Sequence, residues 1–307
     1  MSLSLAMIVK NEDFVIGNCL ASVCDLVDEM VIVDTGSTDL TKPIAKSYGA
    51  KVIDFEWVND FSIARNESIK HCSSDWILVL DADETLSPTD HDKVIKAINS
   101  DRYAYDITIR NYLPHGDMLV MGRDPVKNTS HYSEGNGYSY YAEHTGVRLF
   151  RKLSDTMYSG IVHEVVDHFF INKGLAIDSL PDVVIHHYGK ILLNREVAKQ
   201  TIYLDMAIAE AKLHPEIPMS WFNVFQQALV AREPNIALNA ASKFLELQPE
   251  APIFIYTGSG IALKDMGRLE DALVCFDAVL ENVPNDKIAL KYKELVSKEI
   301  ASKPQQK

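Results

Sequence analysis

The chain has 307 residues, of which 47% are hydrophobic and 24% charged, and a formal net charge of −13. That length exceeds the size at which a single core usually stops growing, so one large or two medium domains are expected, and the acidic balance argues against nonspecific nucleic-acid binding, which needs a basic footprint. No apolar run approaches the roughly 20 residues of a transmembrane helix, and the start Met1-Ser2-Leu3-Ser4-Leu5 lacks a basic segment leading into an apolar one; with Cys19, Cys24, Cys72 and Cys275 in no paired or zinc-like spacing, the expectation is a cytoplasmic protein with reduced thiols.

In chain order, Leu5-Ala6-Met7-Ile8-Val9 reads as a buried first strand, and Phe14 to Val27 has helical spacing of apolar residues. Glu29 to Asp34 follows as a second strand, Thr38 to Tyr48 as a helix ended by Gly49, Lys51 to Phe55 as a third strand, Phe61 to His71 as a helix and Trp76 to Leu80 as a fourth strand. Four strand–helix alternations predict an α/β fold, a mostly parallel sheet with helices on both faces. Ligands in such sheets bind at the carboxyl ends of the strands. Lys10-Asn11-Glu12, Asp34, and the pair Asp81 and Asp83 all fall there.

Asp81-Ala82-Asp83 closes the fourth strand. Two carboxylates so spaced suit a divalent cation bridging to phosphate, yet residues i and i+2 of a strand share a face only while the strand stays regular, and an acidic strand-capping turn explains the same pattern. Side chains at i and i+2 of a regular strand stand about 6.6–6.8 Å apart along that face, so joint coordination needs the backbone to turn at Ala82 or one carboxylate to act through water.

From Asp101 to about His187 the pattern loosens into short strands such as Ala104 to Ile109. The stretch Asn111 to Thr145 is too long for a passive connection and is read as an acceptor-side loop region. Beyond Tyr188 the chain turns helical. Asn235 to Pro249 and Glu270 to Pro284 superpose at a spacing of 35 residues, near the ~34 of tetratricopeptide repeats; the second copy carries Gly267, whereas the first begins at Arg232-Glu233-Pro234. A further helical pair from about Asn194 to Phe225 is expected to complete the stack, and such a surface suits a protein partner or a second copy of the chain. The resulting division is 1–190 and 191–307.

Met7-Ile8-Val9-Lys10-Asn11-Glu12, Val31 to Asp39, Trp57 with Phe61 to Asn66, and Asp75 to Glu84 together resemble the family 2 glycosyltransferases of GT-A fold, most closely the bacterial subgroup with C-terminal tetratricopeptide repeats. The resemblance implies an inverting, metal-dependent transfer of a sugar from a nucleotide-sugar donor, a UDP-sugar, to a saccharide, lipid-linked or peptide acceptor. It assigns donor contacts to Val9, Asn11, Glu12, Asp34, Ser37, Asp39, Arg65, Asp81, Ala82 and His163. It assigns Mn²⁺ or Mg²⁺ to Asp81, Asp83 and His187, the last because His187-Tyr188-Gly189 looks like the family's late His-Tyr-Gly segment, from which Lys190 departs; oxygen ligands with one imidazole suit these ions. Gly160-Ile161-Val162-His163-Glu164, preceded by Arg148, resembles the segment carrying the general base. That implies Glu164 as the base, with Asp83 and Glu84 as weaker contenders. Two other readings stand beside this one. A sugar nucleotidyltransferase would show a Gly-rich basic loop where Lys10-Asn11-Glu12 stands, and a repeat-based interaction protein would bind a nucleotide sugar without turnover.

Overall fold

The computed structural model describes residues 1–116, 125–189, 196–250 and 252–302, and the chain divides into two compact units, Met1–Asn194 and Arg195–Lys307. In the first unit, β1 (Leu3–Val9), β2 (Glu29–Asp34), β3 (Lys51–Asp54) and β4 (Trp76–Val79) run parallel in the order β3-β2-β1-β4. Three helices cross between them, α1 (Ile16–Val23), α2 (Thr41–Ser47) and α3 (Phe61–His71), and two more, α4 (His91–Ile98) and α5 (Asp167–Asn172), follow later in this unit. The two-residue period of β1 sorts its side chains. Leu3, Leu5, Met7 and Val9 pack on one face with Ile16, Cys19, Leu20 and Val23 of α1, while Ala6 packs on the other with Ile69 of α3. Each fully buried Leu or Ile of this kind contributes about 1.5–3 kcal/mol, so a sheet covered on both faces is the stable solution for near-continuous apolar strands. The helix expected from Phe14 begins only at Ile16, and Phe14 is exposed. Its loop, Asn11 to Asp13, is tied through backbone N–H groups to Ser37, Thr41 and Asp39, which holds the chain out of helical geometry there.

Glu29 staples this layer together. Its carboxylate accepts from Ser4 Oγ (2.5 Å), the Ser73 N–H and the Ser74 N–H (3.1 Å). Burial pushes the carboxyl up, but the Ser4 hydroxyl and the Ser73 and Ser74 donors outweigh it and hold it below its ordinary value. A carboxyl depressed in the folded state stabilises the fold above its unfolded-state pKa, and that contribution disappears as pH falls through the folded-state pKa. Glu29→Gln is therefore expected to lower the unfolding free energy by about 1–3 kcal/mol at neutral pH, with the gap to wild type closing in acid. Urea titrations on both sides of the carboxylate range measure it, and a gap that persists at low pH would contradict the assignment.

The second half of the sheet is mixed. β5 (Glu84–Leu86), β6 (Ala104–Leu113), β7 (Val126–Lys127), β8 (Tyr140–Arg151) and β9 (Ile177–His187) extend the order to β3-β2-β1-β4-β8-β6-β9-β5, with β7 paired to β8. β8 is antiparallel to β4 and β6, β9 is parallel to β6, and β5 is antiparallel to β9. β4 and β5 are separated in sequence by residues 80–83 alone yet lie at the middle and the end of this order, so the sheet curls back on itself. The stretch read as a loop from Asn111 to Thr145 is narrower than expected: β6 and β8 zip together from Ala104↔Phe150 to Leu113↔Tyr140, which absorbs both of its ends. Residues 117–124 of it lie outside the described residues. Glu84 pairs with His187, and the Tyr188 N–H donates to the Asp83 carbonyl (3.0 Å). That register joins two segments a hundred residues apart.

Among its described residues the second unit is all helical: α6 (Glu196–Leu213), α7 (Pro218–Val230), α8 (Pro234–Leu247), α9 (Ile253–Asp265), α10 (Leu269–Asn282) and α11 (Lys287–Ser302). The helices expected between Asn194 and Phe225 are α6 and α7. α7 forms a hairpin with α8 and α9 with α10, so the two sequence copies are the second helices of two tetratricopeptide-like pairs. Small residues set the closeness of α9 to its neighbours: a Cβ on Gly258 would lie 2.5 Å from the Phe225 ring, and one on Gly260 2.7 Å from the Phe276 ring. The turns repeat as well. Gly267 has φ +75°, and Arg232, 35 residues earlier, has φ +59°. Only glycine enters that region without strain, so Arg232→Gly is expected to raise the unfolding free energy by about 0.5–1 kcal/mol, read as a higher thermal midpoint. Among the described residues, no helix is long and apolar enough to cross a membrane.

Candidate active site

The carboxyl ends of β1 and β2 carry a knitted polar rim. Asp34, the last residue of β2, is buried; its Oδ1 accepts from the Gly36 N–H (3.0 Å) and the Ser37 N–H (2.8 Å), and its Oδ2 is buried with no hydrogen-bond partner. Gly36, at φ +105°, makes the tight turn that brings both N–H groups back to one carboxylate oxygen. Val9 ends β1 and accepts from the Thr35 N–H (2.9 Å). Asn11, at φ +56°, gives its N–H to Ser37 Oγ (2.9 Å) and accepts from the Thr38 N–H (2.8 Å). Glu12 gives its N–H to Thr41 Oγ1 (2.7 Å). Asp39 accepts from Thr41 through Oδ1 and from the Asp13 N–H through Oδ2 (3.2 Å). Ser37 and Asp39 thus use their side chains to clamp the β1 and β2 loops to one another, whereas Asp34 keeps one oxygen for something else.

Past β4 the backbone turns at Ala82, with the Glu84 N–H donating to the Asp81 carbonyl (3.0 Å). Ala82 packs into the core, and the two carboxylates go different ways. Asp81 Oδ1 takes Nη2 of Arg65, and Oδ2 lies 3.6 Å from Nη2 of Arg148. Burial opposes its ionisation, yet the Arg65 and Arg148 guanidiniums hold its carboxyl well below the usual range. Arg65 also donates through Nε to Glu164 Oε1 (3.0 Å), and its Nη1 is buried with no hydrogen-bond partner. Arg148 binds Glu84 Oε1 (3.0 Å), while Glu84 Oε2 accepts the Asp81 N–H (2.8 Å). Burial pushes the Glu84 carboxyl up. Three carboxylates, Asp81, Glu84 and Glu164, thus surround two guanidiniums, leaving surplus negative charge. The Cys19 thiol, raised by burial and then by Glu84, Asp81 and Asp83, lies under the same cluster.

Asp83 turns the other way, its Oδ2 3.4 Å from His187 Nε2. His187 Nδ1 meets Asn111 Oδ1 at 2.7 Å. Next to it, His186 points into the core, where Nδ1 meets the Tyr112 hydroxyl at 2.8 Å. A Cβ on Gly189 would stand 2.6 Å from His187 Nε2 and 2.7 Å from Asp83 Oδ2, so glycine leaves open the space that both donor atoms face. Two donors about 2.1 Å from an octahedral cation stand about 3 Å apart, so a small hard cation fits this pair. Among the described residues, no group of three or more His, Cys, Asp and Glu side chains forms a ready-made cage, and ions such as Mg²⁺ commonly use one or two protein ligands, waters and the substrate's phosphates. Of the three residues expected around the ion, the structure thus joins Asp83 to His187 and binds Asp81 to the arginines. Lys190 lies outside the described residues.

Glu164 lies on a loop closed by the Ser159–Val165 pair (N–O 3.0 Å both ways). That loop is anchored on α3, where Asn66 clasps Tyr158 through its N–H (2.7 Å) and carbonyl (3.0 Å) and the Phe61 N–H donates to the Ile161 carbonyl (3.0 Å). Asn66 therefore fixes the loop bearing Glu164. His163 is exposed at φ +59°, a conformation disfavoured for a non-glycine residue and often found at functional loops. Arg148 and Asn111 were not among the residues singled out for the site; Arg148 stood only as the residue before the Glu164 segment, and Asn111 only as a loop boundary. Both lie inside long strands, where nothing local separates them from ordinary sheet residues.

An α/β sheet with an acidic, arginine-braced rim at its carboxyl edge is an architecture in which ligands bind at that edge. The sequence profile described as Glycosyl transferase family 2 matches residues 4–167, more than half the chain, and the protein belongs to that family. It is 35% identical to a TPR repeat-containing protein of Synechococcus elongatus over 194 residues, 61% of this chain and 42% of that protein. It is 39% identical to an uncharacterized glycosyltransferase of Rickettsia typhi (66% and 65%) and 27% identical to the glycosyltransferase SunS of Bacillus subtilis (74% and 49%). The chain thus spans about half the length of the first two curated relatives of known size, 42% and 49%. Among solved structures, S. aureus TarS aligns with a TM-score of 0.46 at 17% identity over 89% of this chain and 54% of that one.

Proposed function

We propose that the protein is an inverting glycosyltransferase that moves a sugar from a uridine diphosphate donor to a saccharide, lipid-linked or peptide acceptor, with Mn²⁺ or Mg²⁺ between Asp83 and His187. The observation that carries this reading is the pair Asp83 Oδ2 and His187 Nε2 facing a space kept clear by Gly189, on the same rim as the unpartnered Asp34 Oδ2. A buried acceptor without a partner costs about 1–3 kcal/mol, and the ring N–H of uracil offers the donor it lacks. Val9, Asn11, Glu12, Ser37 and Asp39 shape the nucleoside end, and Ala82 lines the turn beneath the diphosphate.

The bound cation would counter charge developing on the diphosphate as it leaves. In the single displacement, the acceptor hydroxyl oxygen bonds to the anomeric carbon while the bond from that carbon to the phosphate oxygen breaks, and Glu164 takes the hydroxyl proton. Arg65 holds Glu164 Oε1 in place, leaving Oε2 for that proton. His163, beside it on the exposed loop, suits contact with acceptor or phosphate. Incubation with a panel of nucleotide sugars and Mn²⁺, read by mass spectrometry, is expected to release uridine diphosphate. Absence of release from every donor with either ion would favour a nucleotide-sugar-binding interaction protein.

A further inference from the structure

We propose that Asn111 is a positioning residue that fixes the ring orientation and tautomer of His187, so that Nε2 presents its lone pair to the space shared with Asp83. The metal consequence rests on the reading above; the tautomer does not. Asn111 is buried in β6, paired with Ala142 of β8 on one side and His187 of β9 on the other. One end of its amide lies 3.1 Å from the Ala142 carbonyl oxygen, 3.4 Å from the Ile109 carbonyl oxygen and 3.0 Å from His144 Nδ1. Carbonyl oxygens only accept hydrogen bonds, so the atom facing them is the NH₂ nitrogen, and the amide oxygen must face His187. That oxygen, 2.7 Å from His187 Nδ1, likewise only accepts. The proton of the neutral ring therefore sits on Nδ1, and Nε2 is left bare toward Asp83.

At 3.4 Å from the Asp83 carboxylate, Nε2 calls for something positive between the two: a proton, which Asp83 favours by raising the ring's affinity for it, or a cation in its place. Without Asn111 the opposite tautomer would be preferred, because Nε2–H could donate to Asp83. Asn111 thus holds His187 in the form a cation requires, in the way outer partners of metal-bound histidines commonly do. A residue serving only the sheet would be indifferent to where that proton sits.

The test uses the full-length chain. Long-range ¹⁵N–¹H correlation spectra, recorded across a pH series and read on its alkaline side once the ring has lost its second proton, with His187 assigned through His187→Gln, are expected to show Nδ1–H in the wild type, Nε2–H in Asn111→Ala, and Nδ1–H again in Asn111→Asp, which restores an acceptor. Mn²⁺ binding followed by electron paramagnetic resonance should weaken about 10–100-fold in Asn111→Ala and recover in Asn111→Asp. A wild-type ring protonated on Nε2 overturns the proposal, as does an Asn111→Ala protein with unchanged tautomer and Mn²⁺ affinity. Should the alanine variant not fold, the wild-type spectrum decides alone. A wild type that shows Nδ1–H but binds no Mn²⁺ upholds the role of Asn111 and removes the metal reading.

Discussion

Asp83→Ala is expected to lower donor turnover about 10³-fold, equivalent to about 4 kcal/mol of transition-state stabilisation, and to weaken Mn²⁺ binding at least about tenfold. The expectation follows from its geometry: Asp83 Oδ2 is the carboxylate oxygen that shares the Gly189 space with His187 Nε2, while Asp81 is bound to arginines. The fold should survive, because Asp83 is partly exposed and its backbone carbonyl, not its side chain, holds Tyr188. Asp83→Asn keeps the shape while removing the charge, and should bind Mn²⁺ nearly as poorly. The decisive measurement pairs uridine diphosphate release with Mn²⁺ titration and a thermal melt. A variant that melts like wild type and turns over at the wild-type rate would remove the cation from this site.

Arg65→Met is expected to act on the fold itself, lowering the unfolding free energy by about 3–5 kcal/mol, the usual loss when one partner of a buried ion pair is deleted. Arg65 is buried between Asp81 and Glu164, and methionine fills its volume but leaves Asp81 Oδ1 and Glu164 Oε1 without their donor. Arg148 compensates little, since it stands 3.6 Å from Asp81 and is engaged by Glu84. Arg65→Lys should recover only part of the loss, because a single ammonium cannot reproduce the guanidinium fork that reaches both carboxylates. Urea denaturation of the three proteins measures this directly. Equal midpoints for wild type and Arg65→Met would show that the network contributes nothing to stability, and Glu164 would then need another anchor.

What the sequence by itself determined is local and periodic. The buried runs of β1, β2 and β4, the helices between them, the cluster of polar residues at their carboxyl ends and the 35-residue repeat of the helical unit all follow from patterns within a few turns or strands, where 2-residue and 3.6-residue periods and turn chemistry decide the outcome. The placement of Asp34 at the end of β2 was legible for the same reason. Only the tertiary structure decided which of these residues meet. Asp81 and Asp83 look like equivalent partners in sequence, but the turn at Ala82 sends one to Arg65 and Arg148 and the other to His187. That pairing depends on β5 closing against β9 in the register Glu84↔His187, and the tautomer of His187 depends on Asn111, brought beside it by the β6–β9 register. Hydrogen bonds across a curled mixed sheet join residues about a hundred positions apart, and no short-range period in the chain encodes that distance.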